Sequence, residues 1–435
     1  MTRTMVASSE EAPVSSPDGE QYLRSLASCG DKRALVVSQP IYTANGIKLL
    51  DTGAKIDSRI LDRLFGHQLA KPIDRCVTSE DAVGHKDMVE RCRELVAGFP
   101  LLSHFDAHLG PASPRLWQAL GSCPLPPAIA IRLTVVRDTA AALYDHSLRC
   151  AFLALFIGIC GRLTERDLQL LAAAALLHDI GMMHANPEHY EVGKTLDVVG
   201  RRNLLAHPLT AQLVVQRELL FSPAIAAAVV QHHERLDGSG YPKRLQGEAI
   251  GKLGRALMLA EAALGVIERW GEQAAMQLSL LLRVNHLSFD AQLREGIFAA
   301  LPRVKADDCS AVEVCSEFEQ IVALIDSWRH MREAISGSAQ DPAAEFIDAR
   351  IARLRRWLAD AGFGDSQAIA MVATEDTKIC AEIAAVVREA MWHTRQIAYE
   401  ALERWPLLER EVDVGASSAA RRWIGSALHG SNRSE

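Results

Sequence analysis

Two patterns of apolar residues divide the chain. In "ALVVSQPIYTANGIKLLDTG" the apolar runs are short and Asn45-Gly46 separates two of them, which predicts a β-hairpin. Ser58 then reads as the cap of a short helix in which Ile60, Leu61, Leu64 and Phe65 repeat at helical spacing. From Pro124 to Ser336 apolar residues recur in long tracts at helical spacing, and the main interruption is the loop "DGSGYPKRLQGEAIG". The segment "SGSAQDP" reads as a linker, after which Ala343 to Trp405 is again a series of amphipathic helices.

The expected architecture is therefore mainly α. Residues 1–20, rich in Ser, Pro and acids, read as a flexible leader, 21–120 as a small α/β module, 121–336 as a helical bundle and 337–435 as a C-terminal helical region. The last stretch, "SSAARRWIGSALHGSNRSE", reads as frayed. The apolar stripes of the last helices suit packing within the chain, with homodimerisation as the alternative.

Composition narrows the function classes. At 435 residues the chain is too long for one ordinary core, and 49% hydrophobic with 23% charged residues is the make-up of a soluble globular protein. A net charge of -7 gives no footprint for DNA or RNA, so a nucleotide ligand is expected to be small. The nine cysteines include no CxxC pair, which fits a reducing compartment. "MTRTMVASSEEAPVSSPDGE" lacks the apolar core of a signal peptide or anchor, and "AFLALFIGIC" is roughly half a membrane span, so the expected location is cytoplasmic with no span.

The candidate chemistry lies where histidines concentrate: His146, His178, His184, His189, His207, His232 and His233. His146 opens an apolar helix running to Cys160, and "GRLTERD" turns the chain with Thr164 as N-cap and Asp167 as its partner. The next helix ends at His178 and Asp179. At ~1.5 Å per residue both helices are roughly 20 Å long, so a hairpin returns His178 and Asp179 to the level of His146. The construction repeats: His207 and Pro208 start one helix, Ser222 and Pro223 start its partner, and that partner ends at His232 and His233.

Five imidazoles around one aspartate is poor core chemistry, because each buried polar ring needs a partner. It suits divalent first-row ions such as Fe, Mn or Zn, two of which one carboxylate can bridge. Glu261 adds a carboxylate in the middle of an apolar helix, where an unpaired charge is costly. His184 and His189 are left without a role.

"HSLRCAFLALFIGICGRLTERDLQLLAAAALLHDIG", "HPLTAQLVV" and "HHERLDGSGYPKRLQGEAIGKLGRALMLAEA" together resemble the HD-GYP family of HD phosphohydrolases, over about residues 140–265. The resemblance implies an all-helical HD-domain bundle and a phosphodiesterase that opens the bacterial second messenger cyclic di-GMP through a metal-bridged hydroxide. It assigns His146, His178 and Asp179 to the first metal, with His178 and Asp179 as the catalytic pair and Asp179 as the bridge. His207, His232 and His233 go to the second metal, and Glu261 stands where the family has aspartate. Two divalent transition-metal ions follow, Fe or Mn ahead of Zn. Gly240, Tyr241 and Pro242 are the signature loop and the expected substrate contacts.

Three departures matter: the first and last weaken the grip on phosphate, and the second argues against a third metal ion. The lysine of the family's HDIGK motif is Met182, a glutamate carried by some members one turn before the first histidine is Ala142, and only Arg269 remains where the family has a basic tail. Slow hydrolysis is the expectation. The rival readings are a module that binds cyclic di-GMP or a signalling-protein partner without turnover, and a phosphohydrolase for another nucleotide. In the loop itself, Asp237, Gly238 and Gly240 permit a tight turn, Pro242 stiffens it, Tyr241 offers a ring and hydroxyl to a ligand, and Glu234 is expected to fix an imidazole tautomer.

Overall fold

A computed structural model describes residues 19–185, 198–302, 311–333, 341–360, 377–409 and 416–429. The N-terminal part pairs helix α1 (Glu20–Lys32) with four short strands, β1 (Val36–Val37), β2 (Ile41–Tyr42), β3 (Lys48–Leu50) and β4 (Val77–Thr78). β2 and β3 form the hairpin that Asn45-Gly46 predicts: Ile41 opposes Leu50, and the Gly46 N–H donates to Thr43 O at 2.9 Å. β1 pairs antiparallel with β4. The short helix α2 (Leu61–Leu64) is entered differently from expectation. Asp57 Oδ1 accepts from the Arg59 N–H at 3.0 Å, while Ser58 is drawn away to Asp31, whose Oδ1 accepts from both its N–H and its hydroxyl.

Helices α3 (His85–Ala97), α4 (Pro100–Leu109), α5 (Ser113–Gly121) and α6 (Pro127–Thr139) lead into α7 (Ala141–Cys160) and α8 (Glu165–Leu177). Then come α9 (Val198–Leu205), α10 (His207–Gln216), α11 (Pro223–Gln231), α12 (Lys252–Trp270), α13 (Ala274–Val284) and α14 (Ala291–Ala300). The helix α7 starts at Ala141, so His146 sits in its second turn instead of opening it; Tyr144, ahead of it, is already buried. By length and composition α7 is long and apolar enough to cross a membrane, yet from Cys150 to Ile159 every residue is buried within the fold. Its apolar surface is taken up by the helices around it, chiefly α8, α12 and α3.

One continuous core runs from Tyr22 to Ala300 and thus includes both the α/β module and the bundle. A second core, from Val314 to Ala427, unites α15 (Ala311–Glu333), α16 (Pro342–Asp360), α17 (Thr377–Arg404) and α18 (Ala416–His429). The change of core therefore falls between Ala300 and Val314, earlier than the boundary at 336 read from sequence, because Phe318, Ile321, Ile325 and Trp328 of α15 are buried in the second core.

A buried polar cluster ties the module to the bundle. Asp74 accepts from the Tyr22 hydroxyl and pairs with Arg132 of α6, whose guanidinium lies 3.9 Å from the centre of the Tyr22 ring. His184 Nε2 is 3.2 Å from Arg132, and its ring stacks on Tyr22 with centroids 5.7 Å apart. His184 thus belongs to this junction, and burial with the Arg132 charge pulls its pKa down to about 3. His189 lies outside the described residues.

Candidate metal centre

The hairpin of α7 and α8 is closed by Thr164, whose Oγ1 accepts from the Asp167 N–H at 3.2 Å and whose hydroxyl donates to Asp167 Oδ2 at 2.8 Å. It sets the His146 and His178 rings 5.5 Å apart. In the second hairpin Ser222 Oγ accepts from the Ala224 N–H at 3.4 Å and starts α11, which ends under His232. His207 and His232 face one another through their Nε2 atoms at 3.0 Å, and the His232 and His233 centroids are 4.1 Å apart.

Asp179 lies between the two pairs. Its Oδ2 is 3.4 Å from His178 Nε2 and 3.8 Å from His146 Nε2, while its Oδ1 is 3.1 Å from His207 Nε2 and 3.5 Å from His232 Nε2. Each carboxylate oxygen faces one hairpin. Glu261, from the middle of α12, reaches 3.2 Å from His146 Nε2 and 3.3 Å from His178 Nε2.

The ring tautomers are set by the helices. The Nδ1 of His178, His207 and His232 each lies 2.6–2.7 Å from the backbone carbonyl three residues back, at Ala175, Leu204 and Val229. A carbonyl only accepts, so each Nδ1 carries the proton and each Nε2 turns a lone pair to the centre. His146 Nδ1 meets Glu268 at 3.1 Å, and Glu268 also accepts from Arg149 at 2.7 Å.

Two atoms at the heart of this cluster, His178 Nε2 and Asp179 Oδ1, are buried without a hydrogen-bond partner, since the short contacts around them lack hydrogen-bond geometry. Converging lone pairs, carboxylates and orphaned buried acceptors are what metal ions satisfy, so the residues fit divalent metal. Two donor groups are formed, His146–His178–Asp179 and Asp179–His207–His232–His233, and a third joins Cys150 to His178 and Glu261. A proton competes with a metal ion for these nitrogens, most strongly at His178. Burial opposes protonation of His178, but Asp179 and Glu261 outweigh it and push its pKa up to about 10; burial pulls His232 down to about 4. Asp179 and Glu261 are held well below the ordinary carboxylate range by the histidines, against the opposing effect of burial.

The signature loop packs against the second half. The Tyr241 ring stacks on His233 with centroids 4.6 Å apart. Gly240 is needed for packing: a Cβ there would overlap the backbone of Glu234 and Arg235. Glu234 does not reach an imidazole. It is fully buried and accepts from the Lys243 and Leu245 N–H groups at 2.7 and 2.9 Å, which pins the loop, while backbone carbonyls take the tautomer-fixing role expected of it. Pro242 follows Tyr241 in that pinned segment, partly exposed.

Gly181 brings its backbone against His207, where a side chain would collide, so the loop after Asp179 and the start of α10 are held together. Met182 is partly exposed in that loop and its N–H donates to Asp179 O at 2.9 Å. Ala142 is exposed and has no donor atom in its side chain. Arg269, offered as a phosphate contact, packs 5.5 Å from its neighbour Trp270 and acts on Glu389 of α17. Its place on α12 follows from spacing: eight residues after Glu261 is about 80° off that residue's face, whereas Glu268, seven after, shares it.

Residues 133–282 match the family model for the HD domain. The chain is 27% identical over 158 residues to "3'3'-cGAMP-specific phosphodiesterase 3" of Vibrio cholerae, covering 36% of this chain and 34% of that protein. It is 32% identical over 124 residues to a "Cyclic di-GMP phosphodiesterase" of the same organism, covering 25% and 24%. It thus spans about a third or less of the length of these two relatives. Among solved structures, "Bd1817, a HDG"Y"P protein from Bdellovibrio bacteriovorus" aligns with a TM-score of 0.35 at 17% identity, covering 61% of this chain and 95% of that one. Residues 133–282 thus carry the likeness to the HD domain, and the motif His232–Pro242 falls inside that span.

Proposed function

We propose that the HD domain hydrolyses a phosphodiester bond of cyclic di-GMP with two divalent transition-metal ions. The observation that carries this reading is Asp179, with one oxygen toward each histidine pair. When bound, such ions activate water near neutral pH and neutralise charge on phosphate oxygens. The chain's own residues then do the rest. His146, His178 and Glu261 hold one ion, His207, His232 and His233 the other, and Asp179 is shared. Glu268 keeps His146 in register. Burial raises the Tyr241 hydroxyl well above its ordinary pKa, so it stays protonated and donates to a phosphate oxygen.

Met182 in the place of a lysine, and Arg269 beside Trp270, favour a second reading: binding of the cyclic dinucleotide without turnover. The test is incubation of the full chain, loaded with manganese or ferrous iron, with cyclic di-GMP and in parallel with 3'3'-cGAMP, followed by chromatographic separation. A linear dinucleotide from cyclic di-GMP is the expected product. Binding without product selects the second reading, product from 3'3'-cGAMP alone replaces the substrate, and neither binding nor product overturns both.

A further inference from the structure

The half of the centre built from α7, α8 and α12 contains a donor of a different kind. Cys150 stands one helical turn after His146 on α7 and is fully buried. Its Sγ, a ring nitrogen of His178 and a carboxylate oxygen of Glu261 lie within 4.8 Å of one another. A buried cysteine is ordinarily a small apolar core residue. Here it faces a carboxylate and an imidazole, and the His178 Nε2 beside it is 0% exposed with no hydrogen-bond partner. An ion with metal–ligand bonds of about 2.0–2.3 Å sets its ligands roughly 3–4 Å apart, so small side-chain rotations close this set.

We propose that Cys150 is a sulfur ligand to the ion held by His146, His178 and Glu261. On binding, the thiol proton leaves to solvent and the sulfur lone pair goes to the ion. A bound cation stabilises the thiolate over the thiol. The two halves then differ in softness. The half with sulfur favours zinc or ferrous iron over manganese, and the all-imidazole and carboxylate half does not share that preference. The inference rests on the metal-centre reading given above.

The probe is cobalt(II) added to the metal-stripped full chain, followed by absorption spectroscopy. Wild type is expected to show a near-ultraviolet sulfur-to-cobalt charge-transfer band besides the visible bands of nitrogen and oxygen coordination. Cys150→Ala and Cys150→Ser, the second keeping size and a polar atom where alanine fails to fold, lose the charge-transfer band and keep visible bands from the His207, His232 and His233 half. Cobalt bound by wild type without that band, or a band that persists in Cys150→Ala, overturns the sulfur ligand and leaves the centre standing. No cobalt binding at all overturns both.

Discussion

His207 Nε2 and His232 Nε2 stand 3.0 Å apart while both Nδ1 protons are committed to backbone carbonyls. Two lone pairs so placed, with Asp179 Oδ1 alongside, repel one another unless a cation lies among them. Protonation is the dearer remedy at neutral pH, since burial pulls His232 down to about 4.

Elemental analysis of anaerobically purified protein is therefore expected to find two transition-metal ions per chain. Asp179→Ala, which removes the group facing both halves, is expected to lose most of that metal. A metal-free wild type with normal helical circular dichroism sinks the assignment.

Glu261 and Glu268 would act at different distances from an ion held by His146 and His178. Glu261→Gln removes a carboxylate facing both His146 and His178 and is expected to lower affinity for one ion by at least roughly tenfold, with Glu261→Asp much closer to wild type. Glu268→Gln frees the His146 ring and is expected to cost about 10-fold to 100-fold at the same ion only. Competition with a metallochromic chelator reads both, and equal affinities in all four proteins would reduce the two carboxylates to an ordinary helix face.

Met182 concerns rate. Its loop lies directly after Asp179, and a cation there gains value as negative charge develops on phosphate. Met182→Lys is expected to raise turnover about a hundredfold at unchanged metal content, a difference of roughly 3 kcal/mol. If wild type is already fast, or the variant stays slow, phosphate is held by other groups.

Glu389 gives the pH dependence of stability. Burial raises its carboxyl from 4.5 to about 7, against the lowering effect of Asn285 and Arg269. Between those values the folded state holds a proton that the unfolded chain has released, so this contribution to stability falls as pH rises through the window and is fully lost above it. The size is on the order of 3 kcal/mol. Glu389→Gln is expected to flatten the loss in denaturation midpoints between about pH 4.5 and pH 7; an unchanged slope refutes the assignment.

The mainly helical fold and the convergence of the histidines were legible because matched helix lengths force hairpin ends together. Glu261 stood out as a charge in an apolar helix. Glu268 carried a weaker signal, its spacing of seven from Glu261, which has meaning only once that residue is known to face the centre. Cys150 was hidden because a cysteine among leucines and phenylalanines reads as core. Glu234 was misread because its partners, nine and eleven residues onward, depend on how the loop folds back. The early change of core was missed since α15 is apolar enough to suit either neighbour.

The HD domain match begins at residue 133, one position after Arg132, whose guanidinium sits on Tyr22 and pairs with Asp74. Shared ancestry and autonomous folding therefore have different limits in this chain. A fragment cut at that position would leave behind the arginine, the tyrosine ring that covers His184 and the apolar wall supplied by α1. The stretch that matches the HD domain is, physically, an open shell that the preceding hundred or so residues close.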